Sequence, residues 1–263
     1  MKRTASGLHY SVEGPADAPA VVLSAGLGGA AAYWRPQFPV LEGRFRLVKF
    51  DQRGTGANRQ DLPTPYAIAD MAEDVLQVLD AAGIDRAHIL GHALGGLVAL
   101  EMARRAPSRL ISMVLVNAWA RATRHSGHCF DVRLGILSAE GPAAYVRAQP
   151  LFLHSAAYMD AHFDQVQAEI AHGIAHFQGA ENLRARISAL RAFDATAELV
   201  GIQTPALVVA AQDDLLVPWT ASAELAAALP KSRLELLPHG AHACNVEQPE
   251  RFNALLEEWL TPR

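Results

Sequence analysis

The chain has 263 residues, of which 51% are hydrophobic and 19% charged, and it carries a formal net charge of -4 at pH 7. That length and balance suit one large globular domain with embellishments and exclude a disordered or fibrous chain. The mildly acidic charge offers no footprint for nucleic acid, and no apolar run approaches the ~18 residues that would suggest a membrane span.

In chain order, the N-terminal stretch MKRTASGLHYSVEGP has no apolar segment after its basic residues, so a cytoplasmic protein is expected. Short apolar runs follow: AVVLSAG (20–26), FRLVKFD (45–51), AHILGH (87–92), LISMVLVN (110–117), ALVVAAQ (206–212) and SRLELLP (232–238). Near-continuous hydrophobic runs of this length predict strands covered on both faces, as in a parallel sheet. Between them, Ala67–Ala82, Leu94–Arg105, Ala221–Leu229 and Pro249–Leu260 show apolar positions at helical spacing. From about Trp119 to Ala197 the alternation stops, and a segment rich in Ala, His, Arg and Gln reads as helix. The expected architecture is therefore a doubly wound α/β core, residues 1–118 and 198–263, with a helical lid inserted over 119–197. A continuation of the main layer is the competing reading of that segment.

The most informative stretch is AHILGHALGGLVALEMARRAP, a strand, a Gly-x-x-x-Gly turn and a helix. Such a strand-to-helix turn is the nucleophile elbow of the α/β-hydrolase fold, where flanking glycines keep a strained tip free of clashes. Gly91 and Gly95 supply the glycines, and the tip is Ala93, which has no oxygen to deprotonate. Taken alone the pattern could equally reflect helix packing; its weight comes from the loops downstream.

ALVVAAQDDLLVPWT sets two acids after an apolar strand, and Asp214 is the expected partner of a catalytic histidine, with Asp213 as the alternative and helix capping as the bland role of both. In LELLPHGAHACNVEQPERF, His242 is the expected imidazole and His239 the alternative. Elbow, acid and histidine occur in the order that this fold uses. Backbone N–H groups of Leu27, in LSAGLGGAAAYW, and of Leu94 are expected to form an oxyanion hole. Gly26, Arg53 and His92 are expected along the substrate site, although Arg53 could equally be structural. His172 and His176 have a metal-ligand spacing without a third ligand, and only Cys129 and Cys244 are present, without a CxxC. No metal or cofactor is expected, and Cys244, off the elbow, is not expected to replace the missing nucleophile.

Together GLGG…YWRPQ, DQRGTGAN, GHALGG, QPLFLH, AHFQGAENLRARISALRAFD, DDLLVP and HGAHACNVEQPERFNALL resemble the RutD family of the bacterial pyrimidine-utilisation pathway, over roughly residues 18 to 260. GHALG is the specific part, since esterase and enol-lactonase relatives read Gly-x-Ser-x-Gly there. The resemblance implies that Ala93 is native. It also implies a hydrolytic step late in uracil breakdown: carbamate to ammonia and carbon dioxide, or 3-aminoacrylate to malonic semialdehyde.

The resulting expectation is a hydrolase of a small molecule in which His242, oriented by Asp214, activates water directly and no covalent intermediate forms. The chain would act as a monomer or homodimer. The rival readings are a serine-dependent esterase or enol-lactonase whose serine has been replaced by Ala93, a cofactor-free lyase or oxygenase driven by the same base, and a non-catalytic ligand-binding homologue.

Overall fold

A computed structural model describes residues 1–261. Eight strands form one sheet: β1 (Lys2–Arg3), β2 (His9–Glu13), β3 (Ala20–Ser24), β4 (Arg46–Lys49), β5 (Ala87–His92), β6 (Leu110–Val116), β7 (Ala206–Ala211) and β8 (Ser232–Leu237), in the order β1-β2-β4-β3-β5-β6-β7-β8. From β4 to β8 every pairing is parallel, whereas β2 runs antiparallel to both β1 and β4. The six strands read as apolar runs are the parallel ones. HYSVE, half-buried and next to the edge strand β1, lacks that signature.

The helices are α1 (Phe38–Leu41), α2 (Ile68–Ala81), α3 (Leu94–Arg105), α4 (Arg124–Leu153), α5 (Ala156–Ala161), α6 (Phe163–Ala175), α7 (Ala180–Ala192), α8 (Trp219–Ala228), α9 (Cys244–Glu247) and α10 (Pro249–Leu260). Two apolar layers result. One packs α2, α3, α8 and the inserted helices around Val22, Ile89 and Val208; the other sets Trp34, Phe252 and Leu256 against Val21, Leu90 and Val209. Successive strand residues alternate between these layers, which is why β3, β5 and β7 are buried throughout and mostly apolar.

Helices α4 to α7 lie between β6 and β7. Their ends meet at the base, where Ala195 N–H donates to Ala120 O at 3.0 Å and Arg121 bridges to Asp194. Gly141, at φ 82°, kinks α4. This cap touches the loops after β3, β7 and β8, among others: Gln178 Nε2 donates to Leu27 O, Ser126 Oγ to Leu216 O, and Ala243 N–H to Leu153 O. No described helix is long and apolar enough to cross a membrane.

His88, the second residue of β5, shares a 2.7 Å hydrogen bond with Ser112 Oγ. Burial, aided by the nearby Arg86 charge, lowers its pKa from 6.5 to about 4. The unfolded chain binds a proton at this ring near pH 6.5 and the folded chain only near pH 4. Stability is therefore full above pH 6.5 and declines as pH falls through that window, by about 3 kcal/mol in total from this residue. The expected result is a pH-dependent fall in denaturation midpoint between pH 6.5 and 4 that is flattened in His88→Asn; an unchanged slope would contradict this reading.

Candidate active site

The site is built on the sharp exit of β5. Ala93 has φ 48° and ψ -111°, a strained conformation for an alanine, and its N–H is fixed by Val116 O at 2.8 Å. The glycines are required by close approach: a Cβ on Gly91 would lie 2.4 Å from Gly95 O, and one on Gly95 would lie 2.1 Å from Ser24 O. Leu94 is the first residue of α3, so its N–H has no intrahelical acceptor. Among the described residues, neither the Leu27 nor the Leu94 N–H has a protein acceptor.

Asp214 and His242 meet after β7 and β8. The Asp214 carboxylate accepts from the N–H groups of Leu216 (2.8 Å) and Val217 (2.9 Å) through Oδ1, while Oδ2 lies 2.8 Å from His242 Nδ1. Both side chains are buried, at 0% and 3% exposure, so the pair is shielded from bulk water. A carboxylate can only accept, which assigns the proton to Nδ1 and leaves the Nε2 lone pair as the basic one. That nitrogen has no protein partner among the described residues.

Asp213 holds the backbone instead. Its carboxylate accepts from the Ala241 N–H at 2.9 Å and the Gly240 N–H at 3.3 Å, pinning the turn that precedes His242. His239 is 80% exposed and 4.0 Å from Asp213. The turn itself is strained, with Ala241 at φ 49°.

His92 and Arg53 both make contacts within the protein. The His92 ring is buried against His242, with centroids 4.7 Å apart, and its Nε2 donates to His242 O at 2.8 Å. Burial, and then the neighbouring His242, push its pKa well below the usual histidine value, so it stays neutral. It thereby joins the elbow to the histidine loop. Arg53 forms a forked pair with Asp74, whose side chain is 7% exposed. Gly26 lies under the His92 ring, where a Cβ would approach Nδ1 to 2.7 Å.

Sequence reasoning missed Asn117, at φ 46° just beyond β6. Its Nδ2 donates to His242 O (2.8 Å) and Ala241 O (3.2 Å), and its Oδ1 accepts from the Ala211 N–H. The partners are 94 to 125 residues away, so no local spacing announces it. Tyr33 and Gln37 likewise hold Asn245, through Tyr33 Oη to Asn245 Oδ1 (2.7 Å) and Gln37 Nε2 to Asn245 O (2.8 Å). Cys244 is fully buried and its thiol is pushed up by burial, so it is held protonated. His172 and His176 stack on each other with centroids 4.1 Å apart.

An elbow after β5, an acid after β7 and a histidine after β8, beneath a cap inserted after β6, define an α/β hydrolase by class. The family model described as alpha/beta hydrolase fold matches residues 19–134. An enol-lactonase from Burkholderia xenovorans superposes with a TM-score of 0.88, at 29% identity over 98% of each chain. A hydrolase from Pseudomonas aeruginosa superposes with a TM-score of 0.89, at 31% identity over 99% of this chain and 97% of that one. Among relatives by sequence, the RutD protein of Variovorax paradoxus is 54% identical over 96% of each chain, and that of Agrobacterium fabrum 49% identical over 97% of this chain and 98% of its own. The chain belongs to the RutD family.

Proposed function

We propose that the protein hydrolyses a carbon–nitrogen bond of a small metabolite, carbamate or 3-aminoacrylate, in pyrimidine breakdown, by activating water without a covalent step. The observation that carries this reading is a buried His242–Asp214 pair, 2.8 Å apart, beside an elbow whose tip is alanine. The RutD relatives are named carbamate hydrolases, which supports the substrate class.

Water in the space that a serine oxygen would fill gives a proton to His242 Nε2, and the imidazolium formed is stabilised by Asp214. With carbamate, the new hydroxyl adds to the carboxyl carbon, and the Leu27 and Leu94 N–H groups receive the developing oxyanion. His242 then returns the proton to the nitrogen, the C–N bond breaks, and ammonia leaves with bicarbonate behind. With 3-aminoacrylate, water adds to the imine tautomer, and loss of ammonia leaves the aldehyde. Both reactions proceed unaided, so a modest acceleration is sufficient. A triad stripped of its nucleophile still gives ~10³–10⁴-fold over water in serine proteases.

Ammonia release from freshly generated carbamate and from 3-aminoacrylate tests this reading. The enzyme-dependent component should fall by roughly 10²-fold in His242→Gln, the scale of one general base, and Asp214→Asn should follow it. Unchanged release in a folded His242→Gln would overturn the mechanism and favour a binding role.

A further inference from the structure

Arg186, on the cap helix α7, is 0% exposed and forms no ion pair with any described carboxylate. Asp74, the acid whose field it feels, is taken by Arg53. A buried guanidinium without its own counterion is costly, and the structure offsets that cost only with neutral acceptors. Those acceptors are the carbonyls of Gly26 (3.4 Å from Nη2), Leu27 (3.4 Å from Nε) and Arg53 (3.3 Å from Nη1), together with Gln52 Oε1, which receives Nη2. Gln52 in turn donates from Nε2 to Ala25 O at 2.8 Å and Ser24 Oγ at 3.2 Å. The charge is thus aimed at three successive carbonyls, 25 to 27, directly or through one amide.

The direction matters because a trans peptide sets its C=O and N–H on opposite sides. The only cis peptide among the described residues is Thr64–Pro65, so Gly26 C=O facing Arg186 turns the Leu27 N–H away from the cap arginine. Gly26 O also accepts the Gly29 N–H at 3.0 Å, which fixes the same peptide plane. A cation on the carbonyl side of a peptide withdraws electron density from its nitrogen and strengthens the N–H as a donor.

We propose that Arg186 is a positioning residue for the oxyanion hole: it orients the 26–27 peptide and polarises the Leu27 N–H toward the reacting oxygen. The role rests on the water-activating hydrolase read above, yet it is read out separately. Burial lowers the Arg186 pKa to about 10, still leaving it charged at neutral pH.

The test combines backbone NMR with kinetics in Arg186→Gln and Arg186→Lys, with Arg184→Gln, an exposed neighbour on the same helix, as the control. In Arg186→Gln the Leu27 amide proton should move upfield, and kcat for the hydrolysed substrate should fall by roughly tenfold with KM little changed, part of the 10²–10³ attached to a whole oxyanion donor. Arg186→Lys, which keeps the charge and loses the fork, should give intermediate values of both. It carries the test if the glutamine variant does not fold. A folded Arg186 variant with the Leu27 amide and kcat both as in the parent would overturn the proposal, as would an equal change in Arg184→Gln. If the parent proves inactive, the water-activation reading falls, while the Leu27 shift still decides the role of Arg186.

Discussion

Ala93→Ser is expected to turn the protein into a serine hydrolase that fluorophosphonates label stoichiometrically and that cleaves small p-nitrophenyl esters. The parent should remain unlabelled. Everything but the oxygen is in place: the elbow holds residue 93 at φ 48°, His242 lies against the adjoining His92, and Asp214 is bonded to the far side of the imidazole. Serine gives that base a nucleophile to deprotonate, and the gain in ester turnover should be on the order of 10²-fold or more, since a full triad exceeds its nucleophile-free remnant by roughly that margin or better. The matched double variant Ala93→Ser/His242→Ala should lose both labelling and turnover. Ser24, at the end of the strand beside β5, is fully buried and already bonded to Gln52, so it offers no competing target. An Ala93→Ser protein that folds but is neither labelled nor active would remove the triad-remnant argument.

The second large effect is structural. Gly95→Ala would place a methyl 2.1 Å from Ser24 O and 2.7 Å from Ala25 O, both backbone atoms of the β3 exit. Neither can swing aside as a flexible side chain would, so α3 must withdraw from the sheet. Overpacking of this kind costs about 3 kcal/mol or more, and for a chain of this size each kcal/mol lowers the denaturation midpoint by roughly 2–4 °C. The same displacement would separate the Leu94 N–H from the loop that carries Leu27. We expect a fall of about ten degrees or a failure to accumulate soluble protein, measured beside Gly135→Ala. That glycine, in α4, has open space at its Cβ, and its replacement should be neutral or slightly stabilising. Equal midpoints for the two variants would show that the elbow tolerates a side chain.

The parts of this molecule that were legible in the sequence are those written in contiguous residues. β3, β5 and β7 are buried along their whole length and so appear as near-continuous apolar runs. The GHALG turn and the Asp-Asp pair each follow such a run, and the His242 loop follows the half-buried β8. What could not be read is side-chain direction. Arg53 stands in a loop beside the site, but its guanidinium turns to Asp74 on α2, and His92 at the elbow spends Nε2 on a carbonyl 150 residues away. Asn117 and Arg186 act through partners 94 to 160 residues distant, and nothing in their neighbours' spacing distinguishes them from an ordinary strand end or helix face.

The pinched base of the cap makes that segment a cassette. Its ends are joined backbone to backbone at Ala120 and Ala195, so a different helical insert could be spliced there, with its own pocket wall, while β6 and β7 keep their pairing. The exchange would not be free of constraint, because the resident insert reaches the loop after β3 with a guanidinium. A chimera is therefore limited less by where the chains are cut than by whether the incoming segment brings an equivalent donor to Gly26 and Leu27.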